Sequence, residues 1–202
     1  KADFDRALSQ LSQIVKSLNA DLGIMLDTGA EKIFLCDEQG HILEGDLELA
    51  IMTALVCRSA EKAQIAVPVR ASRVIDEVAG RYGARVIRTK TSARDMMEVS
   101  ARASVNFLGE NLGGFIFSEF QPAFDAMFAS VKLIEMLAKQ KTGLSTLATE
   151  VPGINMISKE VSCAPEKKGK VLRCLIDDLK DEEVDLTDGI KVVDGDGWML
   201  AL

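Results

Sequence analysis

The sequence predicts an α/β protein: a three-layer α/β/α domain with a mostly parallel sheet, followed by a partial α+β domain at the C-terminal end. Three observations carry that prediction. Short apolar runs alternate with stretches of helical period from Leu22 to Gln140. Glycine-led turn signals sit at many of the switches of period. Beyond Pro152-Gly153 the order becomes strand, helix and hairpin.

Taken in order, Phe4, Leu8, Leu11, Ile14, Val15 and Leu18 recur at spacings of three and four, which predicts an amphipathic helix over 3–19 with Asp3 as its cap. Leu22–Leu26 and Lys32–Cys36 are apolar runs that predict two buried strands around the loop Asp27-Thr28-Gly29-Ala30-Glu31. After the turn Asp37–Gly40, helical spacing returns over Asp46–Cys57, and Ile65–Val69 reads as the next strand. A helix over Ala71–Tyr82 closed by Gly83, a strand over Arg85–Arg88 and a helix over Ala93–Arg102 continue the alternation. Then come Val105–Leu108, the loop Gly109-Glu110-Asn111-Leu112-Gly113-Gly114, a strand over Phe115–Phe117 and a long helix from Ala123 to Gln140. Past the weak linker Lys141–Leu144 and a short helical stretch, the prediction is a strand over Ile154–Ser162 and a charged helix over Glu166–Lys180. Strands around Asp188-Gly189 and Asp194-Gly195-Asp196-Gly197 complete it. The chain opens on Lys1 and stops within the apolar run Trp198–Leu202, so both ends are expected to be cut.

Composition narrows the function. The chain has 202 residues, 48% hydrophobic and 27% charged, which suits a folded core rather than disorder. No apolar run reaches the roughly 18 residues of a membrane span. With 24 basic against 31 acidic residues the net charge is −7, which disfavours sequence-independent binding to nucleic acid or anionic membrane. The four widely spaced cysteines (Cys36, Cys57, Cys163, Cys174) and the lack of a signal peptide predict a reducing cytoplasm. His41 is the only histidine, and its place after Glu38-Gln39-Gly40 reads as a solvated turn residue rather than a catalytic base.

Three loops could carry chemistry. Asp27 and Glu31 offer carboxylates to a hard cation such as Mg2+, although two leave an all-protein site underfilled and the plainer reading is a pair of solvated turn residues. Glycines in 109–114 would let backbone approach a ligand while Glu110 accepts from sugar hydroxyls; a plain turn is the bland alternative. Arg88-Thr89-Lys90-Thr91-Ser92-Ala93-Arg94 offers cations to a phosphate near a helix start, or is a solvated strand end. Phe117, Phe120, Phe124 and Phe128 read as core packing before they read as a docking face.

These loops, in this order, resemble the α-D-phosphohexomutase family, which includes phosphoglucomutase and phosphomannomutase. The stretch from Ala20-Asp21-Leu22-Gly23 to Gly40-His41-Ile42-Leu43-Glu44-Gly45-Asp46 is similar to the family's metal-binding strand, loop and following helix. The similarity continues through Ile75-Asp76-Glu77, Tyr82-Gly83-Ala84, Arg88-Thr89-Lys90, Gly109-Glu110 and Asp125 into Asp188-Gly189-Ile190 and Gly197-Trp198. The resemblance implies the end of a second domain over 1–22, a third domain over 23–141, a linker over 142–150 and a partial fourth domain over 151–202. It also implies hexose phosphate as ligand, with substrate contacts at Lys32, Lys90, Glu110, Asn111 and Gly113 and a metal loop bearing Asp27 and Glu31.

Family enzymes isomerise hexose 1- and 6-phosphates through a phosphoserine, here expected in an absent first domain, with Mg2+ held by an Asp-Gly-Asp-x-Asp-Arg loop. Against that loop, Asp27 matches, Gly29 replaces the second Asp, and Glu31 and Lys32 replace the last Asp and Arg. Against the family's Gly-Glu-x-Ser-Gly-His sugar loop, Glu110 and Gly113 remain while Leu112 and Gly114 replace Ser and His. Lys90 is retained, but Ser92 and Ala93 stand where many members have Gly-His, and the fourth-domain phosphate loop would begin near Leu202. The expected function is therefore a catalytically degenerate domain that binds sugar phosphate, regulates or assembles, with no catalytic residue in this chain. The rest of the polypeptide, extending to a linked sugar nucleotidyltransferase, and a homo-oligomer are the implied partners. The enzyme alternative is a divergent working mutase in which Asp27, Glu31, phosphoserine and water hold Mg2+. A purely structural module is a third possibility.

Overall fold

The computed structural model describes residues 2–102, 104–180, 182–195 and 197–202. The Lys1 start and the Asp196 turn residue of the sequence reading lie outside them. Its elements are α1 (Ala2–Leu18), β1 (Gly23–Leu26), β2 (Ile33–Cys36), β3 (Ile42–Leu43), α2 (Gly45–Ser59), β4 (Gln64–Pro68), α3 (Val74–Gly80), β5 (Arg85–Thr89) and α4 (Ala93–Arg102). They are followed by β6 (Phe107–Gly109), β7 (Phe115–Phe117), α5 (Ala126–Gln140), α6 (Leu144–Glu150), α7 (Pro165–Asp178), β8 (Val184–Asp185), β9 (Ile190–Asp194) and β10 (Gly197–Ala201).

The central sheet has the order β5-β4-β6-β7, with β4 parallel to both β5 and β6 and β7 antiparallel. Side chains along a strand alternate between faces, and that alternation builds two cores. Ile65, Val67, Phe107, Phe115 and Phe117 face the helices α2, α3 and α5 in the main cluster. Ala66, Leu108 and Ile116 face the other way, onto Met96 of α4. Helix, sheet and helix therefore form the three predicted layers. Helix α2 is apolar nearly all round, with Leu49, Ile51, Met52 and Leu55 fully enclosed, because other helices as well as the sheet pack on it.

A second sheet, β1-β2-β3, is wholly antiparallel and joins the first through the Lys32–Gly114 bridge. The central sheet is mostly parallel, as predicted, and the antiparallel second sheet makes the fold as a whole mixed. Of the two strands predicted as buried, β2 is, but β1 is only half covered; α1 lies across both. Strand β3 escaped prediction because two residues are too short to show a period. In α1 only Leu8 and Val15 are buried, while Ile14 and Leu18 of the predicted apolar face are exposed. The four cysteines are unpaired, and burial pushes the Cys57 thiol up to about 11. Among the described residues no helix is long and apolar enough to cross a membrane.

The predicted strand over Ile154–Ser162 does not form: the segment has no regular structure, and Ile157 and Val161 are exposed. A strand needs a ladder partner, and the segment pairs with no strand of the antiparallel sheet β10-β9-β8. That C-terminal sheet is joined to the central domain by polar contacts. Asp188 accepts from the Thr91 amide at 2.7 Å and its hydroxyl at 2.5 Å, and Lys191 Nζ donates to the Val69 carbonyl at 2.9 Å while lying 4.4 Å from the Trp198 ring centroid.

The Thr91 hydroxyl, and then its amide, hold the Asp188 carboxyl below the usual carboxylate range. The stability it contributes is therefore present above that range and lost as pH falls through the depressed value. Asp188→Ala is expected to loosen β8–β10 by about 1–2 kcal/mol. The readout is faster hydrogen exchange in β9 with β4 unchanged, and equal β9 exchange in both proteins would contradict the role.

Candidate functional site

The chain order of the central sheet reverses beside β4. From β4 the chain crosses through α3 to β5 on one side, then returns through α4 on the opposite face to β6 on the other side. In open α/β sheets ligands bind outside the carboxyl ends of strands at such a reversal. Just past β4 stands Arg70 and just past β6 stands Glu110. The Arg70 guanidinium donates to Glu110 Oε2 at 2.8 Å, and Lys32 Nζ lies 3.2 Å from Oε1. The carboxylate itself is buried, with 7% of its side chain exposed, against 28% for Arg70 and 31% for Lys32.

The 109–114 loop is a tight hairpin. The Glu110 amide donates to the Gly114 carbonyl and the Ile33 amide to the Gly113 carbonyl, each at 2.9 Å. Gly113 has φ +85°, and a Cβ there would lie 2.2 Å from the Ile33 carbonyl oxygen, so only glycine fits. At Gly114 a Cβ would meet Glu110 Oε1 at 2.8 Å and the Phe124 ring at 2.9 Å, so a side chain there would require both neighbours to shift. Leu112 is half-exposed at the loop tip. Asn111 donates to Asp46 Oδ2 at 3.2 Å, and Asp46 Oδ1 accepts from the Ser72 amide at 2.9 Å, tying α2, the β4–α3 loop and the hairpin together.

The structure brings Lys32, Glu110, Asn111 and Gly113 together. Lys90 is placed elsewhere, exposed in a groove with Asp95, Glu98 and Thr187, and makes no ion pair among the described residues. Arg88, in the same stretch, is committed to structure: it donates to the carbonyls of Pro68, Ala71 and Ser72 and pairs with Asp76. Ser92 caps α4 through the Asp95 amide. His41 is a solvated turn residue whose amide and ring both bond the Asp37 carboxylate. The phenylalanines divide: Phe117 is in the core, Phe124 and Phe128 are half-buried, and Phe120 is exposed and stacked on Phe128.

Asp27 closes its own loop, Oδ1 accepting from the amides of Glu31 at 2.8 Å and Lys32 at 3.0 Å. Glu31 is exposed, and Gly29 adds no donor. Two carboxylates, one of them already serving two amides, do not fill the near-octahedral oxygen set of Mg2+. Among the described residues no group of three or more acidic, histidine or cysteine side chains converges to hold a metal. Sequence reasoning missed Arg70; its signal was a lone cation one residue beyond an apolar strand, meaningful only once the strand order is known.

Residues 44–153 match the family described as phosphoglucomutase/phosphomannomutase, α/β/α domain III. The chain is 30% identical over 198 residues to a phosphoglucomutase/phosphomannomutase of Thermococcus kodakarensis, covering 96% of this chain and 42% of that protein. It is 32% identical over 197 residues to a "probable phosphoglucosamine mutase" of Methanococcoides burtonii, covering 97% and 44%. The chain thus spans less than half the length of these relatives. Among solved structures, a phosphoglucomutase/phosphomannomutase family protein from Burkholderia thailandensis superposes with TM-score 0.75 at 23% identity, covering 96% of this chain and 42% of that one. The N-acetylphosphoglucosamine mutase of Aspergillus fumigatus, solved with GlcNAc-6P and magnesium, gives 0.57 at 15% identity, covering 87% and 46%. Both likenesses concern the fold.

Proposed function

The chain belongs to the phosphoglucomutase/phosphomannomutase family, and on that premise we propose that it is the sugar-reading part of a mutase-like protein that binds hexose phosphate without isomerising it. The observation that carries the reading is the contrast between two neighbouring loops. Around Glu110 a buried carboxylate is held between two cations, a set that suits polar sugar groups. Around Asp27 the donor set falls short of Mg2+.

In this reading 1–22 close a second domain, 23–141 form the third and 151–202 begin the fourth. Lys90 faces a separate groove beside the C-terminal sheet. The resemblance extends the proposal to a regulatory or assembly role beside a sugar nucleotidyltransferase, for which hexose 1-phosphate is the shared ligand class.

The test is calorimetric titration of the full-length protein with glucose and mannose phosphates, with and without Mg2+, alongside a mutase assay. Binding that ignores Mg2+, with no conversion of 1- to 6-phosphate, is the expected result. Turnover at ordinary mutase rates would overturn it and favour the divergent working mutase. Absence of binding would leave the structural role.

The metal loop supplies a second check. A Cβ at Gly29 would sit 3.6 Å from Glu31 Cγ and 3.8 Å from Asp27 Oδ2, in ordinary contact, so the loop accepts a side chain there. Gly29→Asp is expected to make the melting temperature rise with Mg2+, as mass action requires of a site present only in the folded state. The unsubstituted protein is expected to ignore Mg2+ in the same scan. A Mg2+ response in the unsubstituted protein would count against the degenerate reading.

A further inference from the structure

We infer that Asp46 is a positioning residue: from the first turn of α2 it holds the loop that carries Arg70 and the hairpin that carries Glu110 at a fixed separation. The inference rests on the sugar-phosphate reading above. Asp46 Oδ1 accepts from the Ser72 amide at 2.9 Å, and Oδ2 accepts from Asn111 Nδ2 at 3.2 Å. One carboxylate thus grips a residue two past Arg70 and the residue next to Glu110. Asp46 is only 7% exposed, so it acts on a ligand through those two partners.

Three side chains from three elements hold the β4–α3 loop. Arg88 of β5 donates to the carbonyls of Pro68, Ala71 and Ser72, Lys191 of β9 donates to the Val69 carbonyl, and Asp46 accepts from the Ser72 amide. Apart from the Arg70–Glu110 pair itself, Asp46 is the only side chain among the described residues that hydrogen-bonds both this loop and the hairpin. The ion pair is a poor spacer on its own, because Arg70 has 28% of its side chain in water and a long, solvated side chain costs entropy to hold in one geometry. Asp46 stands on a firmer base. Leu49, Ile51, Met52 and Leu55 of the same helix are fully enclosed, and a binding set stays in register when rigid elements support it. The start of a helix also favours a carboxylate. The Asn111 carbonyl oxygen is buried without a partner among the described residues, so its bond to Asp46 is what fixes the sense of that amide.

The experiment is calorimetry on the full-length protein with glucose 1-phosphate, below the melting temperature of each variant, for the unsubstituted protein, Asp46→Ala, Asp46→Asn and Asp46→Ser. Asp46→Ala removes both bonds and is expected to weaken binding about tenfold. Asp46→Asn keeps an acceptor for the Ser72 amide, and its new NH2 donates to the Asn111 carbonyl once that amide turns over. It is expected to restore affinity to within about threefold of the unsubstituted protein. The Asp46→Ser hydroxyl is too short to bridge both partners yet suits a helix start, so this variant is expected to bind as weakly as Asp46→Ala and carries the test if the alanine variant fails to fold. A purely structural residue would lower the melting temperature and leave the affinity of the folded protein unchanged, whereas a residue acting through its charge would leave Asp46→Asn as weak as Asp46→Ala. Either result would overturn the inference while leaving the sugar-phosphate reading intact. No binding of glucose 1-phosphate by the unsubstituted protein would overturn both.

Discussion

Glu110→Ala is expected to lower the stability of the domain by about 2–3 kcal/mol and to abolish measurable hexose-phosphate binding. The stability loss follows from what remains after the truncation. Removing one partner of a buried ion pair strands the other charge, typically at a cost of about 3–5 kcal/mol. Here the stranded groups are Lys32 and Arg70, each with more than a quarter of its side chain in water, which moderates the penalty. A second contribution is mechanical. The carboxylate lies under Gly114, so its removal opens space between the hairpin and Phe124.

Glu110→Gln separates charge from shape. It retains the volume but turns an amide NH2 toward one of the two cations, so about half the loss is expected, with binding still absent. Denaturant unfolding reads the first effect and calorimetry the second. Unchanged stability in both variants would mean that the Lys32–Glu110–Arg70 cluster is solvated and loose. Unchanged binding would remove Glu110 from the ligand site.

The layers of the fold were legible because the apolar residues keep their period: Ile65 and Val67 against Ala66, Phe107 against Leu108, Phe115 and Phe117 against Ile116. Periodicity reports which residues are buried; it is silent on strand order. Order places Arg70 beside Glu110, 40 positions away in sequence, and lays the Arg88 guanidinium on the carbonyls of Pro68, Ala71 and Ser72. The Ile154–Ser162 segment failed for a related reason. Its apolar residues suit a strand, but a strand exists only where it pairs with another, and this segment pairs with none. Glycine chemistry was partly legible: 109–114 announced a tight loop, while the close approach of Glu110 and Phe124 to Gly114 depends on the folded packing. Glu48 was the hardest case. An acidic residue in the first turn of a helix ordinarily looks solvated and favourable to the helix dipole, yet this one is 2% exposed.

That burial makes Glu48 the source of the second large effect, a stability that falls as pH rises through the neutral range. Desolvation, followed by repulsion from Glu44, pushes its carboxyl well above the usual range, and its Oε1 has no hydrogen-bond partner among the described residues. An unfolded glutamate ionises near 4.3. Below that value both states carry the proton and burial exacts no electrostatic cost. Above it the unfolded chain releases a proton that the folded chain keeps, so each further pH unit lowers stability by up to about 1.4 kcal/mol until the folded group also ionises. The carboxyls held low act in the opposite sense and in another window. Although burial opposes the shift, the Ser145 hydroxyl holds Glu38 down, and the Thr91 hydroxyl does the same for Asp188. They contribute stability that disappears only as pH drops below the ordinary carboxylate range. Maximum stability is therefore expected on the acidic side of neutrality. Glu48→Gln should flatten the decline above the ordinary carboxylate range, and Glu48→Leu should stabilise the domain by about 2 kcal/mol at pH 8 by replacing a buried carboxyl with an apolar group. Urea unfolding at three pH values checks both. A flat profile in the unsubstituted protein, or an unaltered slope in Glu48→Gln, would show that the buried carboxyl finds a partner and ionises at its ordinary value.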